Sequence, residues 1–209
     1  MFVIGVTGGT GSGKTTVINM LKEKTKNIDI SFLSSDSYYK DNSSLTFEQR
    51  DKLNYDEPNA MDFDLLTTHI KYLRKGKSIN VPDYCFNNHL RLNETTVINP
   101  CKILVLEGIL ILNNEKLRSE INYSIFLDCP REIRLKRRVS RDVKERGRKK
   151  ADIINLFKNV LDETHKMYVG PFKKYCNMIL DTSKQANISE IINLETFGVP
   201  TENLAPSLT

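Results

Sequence analysis

Long apolar runs, clustered metal ligands and internal repeats are all missing from this 209-residue sequence. Its longest apolar stretches, residues 103–106 and 109–112, are separated by Glu107 and Gly108 and fall far short of the ~20 residues that cross a bilayer, so no membrane partner is expected. Cys85, Cys101, Cys129 and Cys176 stand far apart with no C-x-x-C pair, and the histidines do not cluster. That spacing excludes a zinc ribbon and a disulfide scaffold, leaving small apolar or exposed thiols in a reducing compartment. Met1 runs straight into a strand-like segment at 2–6, without a basic n-region, a longer apolar h-region or a small-residue cleavage site, so a cytoplasmic location is expected.

What remains is an ordinary globular composition, 39% apolar and 27% charged, long enough for one sizeable core with an appended lid. The net charge of +5 is concentrated: residues 131–150 carry 11 of the 31 Lys/Arg and 3 of the 26 Asp/Glu. Such a block serves as a solvated helix face, as a nucleic-acid patch or, beside a nucleotide site, as a phosphate clamp. The interleaved aromatics of a single-strand groove are absent from it, and no nucleic-acid partner is expected.

Strand-like runs at 2–6, 30–33, 103–106, 125–127 and 178–180 alternate with helical patterns, which predicts an α/β fold with a mostly parallel five-stranded sheet flanked by helices. The first helix should start at Gly13 and bury Val17, Ile18 and Leu21. A second should start at Asp62 or Asp64, bury Leu66, Ile70 and Leu73, and stop at Gly76. Between them and the third strand, residues 78–100 hold β-branched residues and two prolines without helical period, which suits a small irregular hairpin overhanging the site. Residues 200–209, with Pro200 and Pro206 and little apolar content, read as a mobile tail.

The decisive motif is Gly8-Gly9-Thr10-Gly11-Ser12-Gly13-Lys14-Thr15, followed by Thr16, set between a strand and a helix as G-x-x-x-x-G-K-[ST] requires. Glycines at 8, 11 and 13 let successive backbone N–H groups turn toward phosphate oxygens. Lys14 would place a compact positive charge on the β- and γ-phosphates, and the Thr15 hydroxyl would ligate Mg²⁺. ATP or GTP is therefore the expected phosphate donor. The loop alone leaves water, protein, nucleotide and sugar hydroxyls all open as acceptors.

Ligands of open α/β sheets sit beyond the carboxyl ends of the strands. Three acids follow strands: Asp36, Glu107 and Asp128. Glu107 ends an apolar β-branched run and is assigned to the metal, directly or through water. Asp36, in Asp36-Ser37-Tyr38-Tyr39, is the candidate general base, a turn or N-cap role being the alternative. Asp128, ahead of Cys129-Pro130, reads as an N-cap or turn residue.

Together with the phosphate loop, the segments Asp36-Ser37-Tyr38-Tyr39-Lys40-Asp41, Asn54-Tyr55-Asp56-Glu57-Pro58, Leu106-Glu107-Gly108-Ile109-Leu110, Arg137-Arg138-Val139, Arg141-Asp142 and Glu145-Arg146-Gly147-Arg148 resemble, in order and spacing, the uridine-cytidine kinase family. The likeness runs over residues 2–181. It implies a P-loop kinase domain over 1–199, with the hairpin an insert at about 78–100 and the basic block a helical lid at about 131–150. It also implies that ATP phosphorylates the 5′-hydroxyl of uridine or cytidine, with Asp36 as base, Tyr39 near the nucleoside and Asp56 on the ribose hydroxyls. Tyr84, Phe86 and His89 would hold the pyrimidine, and Arg138, Arg141, Arg146 and Arg148 would serve nucleoside and phosphates. A homotetramer is the implied assembly. Glu57 replaces the family's usual histidine, Leu156 a frequent glutamine, and residues 181–187 lack the glycine-rich segment near the adenine.

Overall fold

A computed structural model describes residues 1–184 and Val199. The expected tail at 200–209, and residues 185–187 of the segment near the adenine, lie outside the described residues. In chain order the elements are β1 (Phe2–Thr7), α1 (Lys14–Lys24), β2 (Ile30–Ser34), α2 (Phe47–Asp51), α3 (Phe63–Arg74), β3 (Ile79–Cys85), β4 (Leu90–Ile98), β5 (Ile103–Glu107), α4 (Glu115–Arg118), β6 (Tyr123–Asp128), α5 (Arg131–Arg146), α6 (Lys150–Leu156), α7 (Asp162–Tyr168) and β7 (Met178–Asp181). A π-helical turn, Phe157–Leu161, joins α6 to α7.

The five-stranded sheet has the order β2-β5-β1-β6-β7, and every pair in it is parallel. All five strands expected from the sequence are present. β1 and β5 lie inside the sheet with both faces covered, which is why they read as unbroken apolar runs rather than alternating ones. Successive side chains still point to opposite faces. Val3, Leu104 and Leu106 join Leu66, Ile70 and Leu73 of α3 in one core. Ile4, Val6, Ile103 and Val105 join Val17, Ile18 and Leu21 of α1 in the other.

Asp62 caps α3 by accepting from the Leu65 N–H at 3.1 Å, and the helix gives way to Gly76 in a left-handed conformation (φ +71°). The hairpin β3–β4 is regular antiparallel pairing with one register shift between Pro82 and Tyr84. Arg91 fastens it beside the site, donating to the Tyr39 carbonyl at 2.6 Å and to Asp62 Oδ2 at 3.3 Å.

One expectation is corrected. Asp128 does not cap α5: Pro130 occupies the N-cap position with no side-chain cap, and Lys173 Nζ donates to the Asp128 carboxylate at 2.6 Å. In α5 the face that carries Arg134, Arg138 and Asp142 is the buried one. Arg134, Arg138 and Asp142 are 5%, 7% and 1% exposed, whereas Val143 is 44% exposed.

Parallel strands bring all their carboxyl ends to one edge, so the segments after β1, β2 and β5 converge there with the start of α5 after β6. Leu104, fully buried in the strand between β1 and β2, supports that edge. Leu104→Ala is expected to lower unfolding free energy by about 2–5 kcal/mol in urea titrations with an unchanged m value. A loss below 1 kcal/mol would contradict the packing described.

Candidate active site

The segment between β1 and α1 folds back on itself through left-handed glycines, Gly11 at φ +75° and Gly13 at φ +97°. A Cβ at Gly11 would lie 2.3 Å from the Arg134 carbonyl oxygen, so the loop can rest on the start of α5 only without a side chain there. No side chain caps the N-terminus of α1 and no acid stands in its first turn, which leaves its N–H groups and partial positive charge facing outward. Thr10, Gly11, Gly13, Lys14, Thr15 and Thr16 line a cleft of about 700 Å³. Gly8, Gly9 and Ser12 are not among its lining residues, and the Ser12 hydroxyl is buried without a partner. Lys14 Nζ donates to the carbonyls of Gly8 (3.0 Å) and Gly9 (3.3 Å). Burial pulls the Lys14 pKa down, and the nearby carboxylates of Glu107, Asp36 and Asp56 oppose that pull.

Those three acids come from three different segments. Asp36 lies in the 3₁₀ turn Ser35–Tyr38 after β2, its N–H donating to Ser34 Oγ at 3.3 Å and its Oδ1 accepting from Tyr39 Oη at 3.4 Å. Glu107 ends β5 and accepts from the Ser34 hydroxyl. Desolvation and the adjacent Glu107 push the Asp36 carboxyl up to about 6, with Lys14 pulling the other way. Asp56 is set by Asn54, whose Oδ1 accepts from the Asp56 N–H at 3.1 Å while its Nδ2 donates to Glu57 Oε1 (2.7 Å) and Thr164 Oγ1 (3.0 Å).

No group of three or more His, Cys, Asp or Glu residues suited to a metal occurs among the described residues. One carboxylate and one exposed hydroxyl, Glu107 and Thr15, are a hard-oxygen donor set of the size Mg²⁺ uses when phosphates and water complete its shell. The mutual repulsion of Asp36 and Glu107 also favours a cation between them. The residues present therefore fit the metal.

Opposite the acids, the hairpin and the loop before α3 make an aromatic wall. The ring of Tyr39 meets Tyr55 at 5.3 Å and Tyr84 at 5.0 Å, and Tyr84 meets Phe86 edge-on at 5.4 Å. His89, at φ +50°, stacks flat on Tyr55 at 4.7 Å. Burial first, and Arg148 second, hold His89 below its ordinary pKa, with Asp51 opposing them. Arg148 Nη2 lies 3.1 Å from His89 Nε2, and the Arg146 guanidinium sits 4.9 Å over the Phe86 ring, so the end of α5 touches the hairpin tip. Arg138 Nη1 donates to Thr10 Oγ1 at 2.6 Å and stands 4.0 Å from Asp56 Oδ2.

Apart from Gly8, Gly9 and Ser12, every residue assigned a role in binding or catalysis lines this one cleft; Leu156 does too, whereas Glu57 and Asp128 do not. Tyr55, Asn54 and Asp142 were not assigned roles. Asn54 stands two residues before Asp56, the Asx-turn spacing, and Asp142 is the acid four residues from both Arg138 and Arg146. Nothing local marks Tyr55, whose partner is 34 positions away.

The raised carboxyl of Asp36 has a stability consequence. Unfolding returns it to about 3.8, so its contribution is fully present below that pH and is lost as pH rises through about 6. At pH 7 the ionised group therefore opposes folding. Asp36→Asn should raise the thermal midpoint at pH 7 by roughly 2–4 °C, the change about 1 kcal/mol makes in a chain of this size, and the gain should vanish at pH 4. A lower midpoint at pH 7 would contradict the burial of that charge.

The "Phosphoribulokinase / Uridine kinase family" matches residues 3–189. A uridine kinase of Clostridium novyi (strain NT) is 42% identical over 187 residues, 90% of each chain. A uridine kinase of Staphylococcus haemolyticus is 43% identical over 178 residues, 85% of this chain and 86% of that one. Phosphoribulokinase from Rhodobacter spheroides, 12% identical, shares the fold with a TM-score of 0.60 over 88% of this chain and 72% of its own. Matched over nearly its whole described length, and at this identity, the chain belongs to the phosphoribulokinase/uridine kinase family.

Proposed function

We propose that this protein transfers the γ-phosphoryl group of ATP to the 5′-hydroxyl of uridine or cytidine, giving UMP or CMP. The observation that carries the reading is the position of Asp36, a carboxylate lining the same cleft as the phosphate loop and as the aromatic wall of Tyr39, Tyr84, Phe86 and His89. A base there can take the proton of a hydroxyl whose nucleoside the wall holds, within reach of a phosphate seated on Lys14 and the α1 N-terminus. Flat aromatic surfaces with a histidine of lowered pKa suit an uncharged planar base. The identity to uridine kinases agrees with this choice of acceptor.

In this reading Asp56, fixed by Asn54, receives the ribose hydroxyls. Glu57 is engaged by Asn54, and Leu156 offers the cleft an apolar side chain. Thr15 and Glu107 would hold Mg²⁺, which when bound would supply positive charge against the phosphoryl oxygens. Arg138 and Arg141 face the spreading phosphoryl charge, Arg146 the donor and Arg148 the nucleoside. The stretch 131–150 closes over them as a lid, and its contacts with the hairpin tip exclude water. We extend the proposal to one kinase domain over 1–199, working in the cytoplasm as a homotetramer with ATP or GTP as phosphate donor. Among the described residues no helix is long and apolar enough to cross a membrane.

ADP release with MgATP, assayed across uridine, cytidine, adenosine, 2′-deoxycytidine and ribulose 5-phosphate, tests the reading. Turnover is expected on the two pyrimidine ribonucleosides, with 2′-deoxycytidine reduced by up to roughly 10⁴-fold. Asp36→Asn should lose about 10²- to 10⁴-fold, and wild-type kcat/KM should climb as pH rises through about 6. A folded, ATP-binding protein silent on both pyrimidines would move the assignment to another hydroxyl acceptor.

A further inference from the structure

The arginines of α5 converge on a carboxylate to which the proposed chemistry gives no part. Asp142, 1% exposed, receives the Arg141 Nε–H at 2.8 Å on Oδ1, with Arg146 Nε 3.8 Å from the same oxygen and Arg138 Nε 3.3 Å from Oδ2. Its backbone carbonyl accepts from the N–H groups of Gly147 and Arg148, so it also ends the helix. Burial alone would raise its pKa, but the Arg141 hydrogen bond and the three guanidinium charges outweigh that and leave it below the ordinary value. Arg138, Arg141 and Arg146 all line the cleft. Crowded on one partly buried face, they repel one another: Arg146 is pushed down first by burial and then by Arg141.

An exposed ion pair on a helix contributes tenths of a kcal/mol, and a buried one is often no better for stability than packed apolar side chains. A carboxylate whose charged partners are all cleft-lining arginines has a different use. Arg138 reaches from it to Thr10 of the phosphate loop, yet its Nε and Asp142 Oδ2 face each other without hydrogen-bond alignment. That contact can be exchanged for a phosphate oxygen at small cost. Resting on the kinase reading above, we infer that Asp142 is a positioning residue that gathers Arg138, Arg141 and Arg146 around the transferred phosphoryl group. One of three positive charges is balanced at rest, and the other two stay available to the developing anion.

Steady-state kinetics of Asp142→Asn and Asp142→Glu with uridine and MgATP test this, alongside thermal midpoints and calorimetric Kd values for MgATP. Misplacing the guanidiniums by about 1 Å should lower kcat by about 10²-fold in the Asn variant, while KM for uridine and Kd for MgATP stay within threefold. The Glu variant, which keeps the charge one methylene further out, should recover to within about tenfold of wild type. A folded Asn variant with wild-type kcat would overturn the inference. So would matched losses in kcat and affinity with the Glu variant no better than Asn, the pattern of a purely structural residue. If the Asn variant does not fold, the Glu variant decides: a kcat within about tenfold of wild type at constant KM and Kd supports the inference, and a loss shared equally by kcat and affinity overturns it. Wild-type protein silent on uridine and cytidine would instead overturn the kinase reading, and the inference with it.

Discussion

One ammonium and three carboxylates share a space with little water, and the site is organised around that imbalance. Lys14 is pulled down by burial and pulled up by Glu107, Asp36 and Asp56, while Asp36 is pushed up to about 6 by burial and by Glu107. Neither set of charges satisfies the other. Arg138 stands beside Asp56, but Asp36 and Glu107 still repel each other, which favours a metal cation between them, and the phosphate loop offers a helix N-terminus with no acid in its first turn, which favours an anion. A cation and an anion bound side by side would answer both demands.

The parallel sheet makes this crowding possible. Three of the four charged groups follow or end a strand, Lys14 after β1, Asp36 after β2 and Glu107 at the end of β5, and parallel strands open toward the same edge, while Asp56 comes from the loop between α2 and α3. Antiparallel strands of the same sequence would send half of these groups to the far side. The stability needed to hold like charges together comes from the two apolar faces of β1 and β5, whose side chains are almost wholly buried. The arginines of α5 repeat the same logic with the opposite sign, restrained by Asp142.

Much of this was legible in the sequence for physical reasons that can be named. A strand covered on both faces has to be apolar at every position, so the runs at β1, β5 and β6 stood out without any period. The glycine spacing of the phosphate loop is readable because side chains are excluded there by backbone geometry, as Gly11 against Arg134 illustrates. Asp62, Leu66, Ile70, Leu73 and Gly76 told where α3 begins, packs and ends. What escaped were contacts between distant segments. The Tyr55–His89 stack, the Asn54 bond to Thr164 and the tie from Arg91 to Tyr39 depend on how loops meet over the sheet, and no local period records that. Helix α2 was missed despite a local signal, the capping box of Thr46 and Gln49, because five residues are too few to show a face. The basic stretch of α5 left its role open among three uses, because sequence alone does not show that Arg138, Arg141 and Arg146 share one buried partner, Asp142.

The most direct test of the account is a crystal structure with uridine and a non-hydrolysable MgATP analogue bound together. The account requires the 5′-oxygen within roughly 2.6–3.2 Å of an Asp36 carboxylate oxygen, in line with the γ-phosphorus, with the pyrimidine against Tyr84 and His89. A nucleoside seated in the cleft with its 5′-oxygen turned away from Asp36, or bound elsewhere while the γ-phosphate faces open solvent, would contradict it.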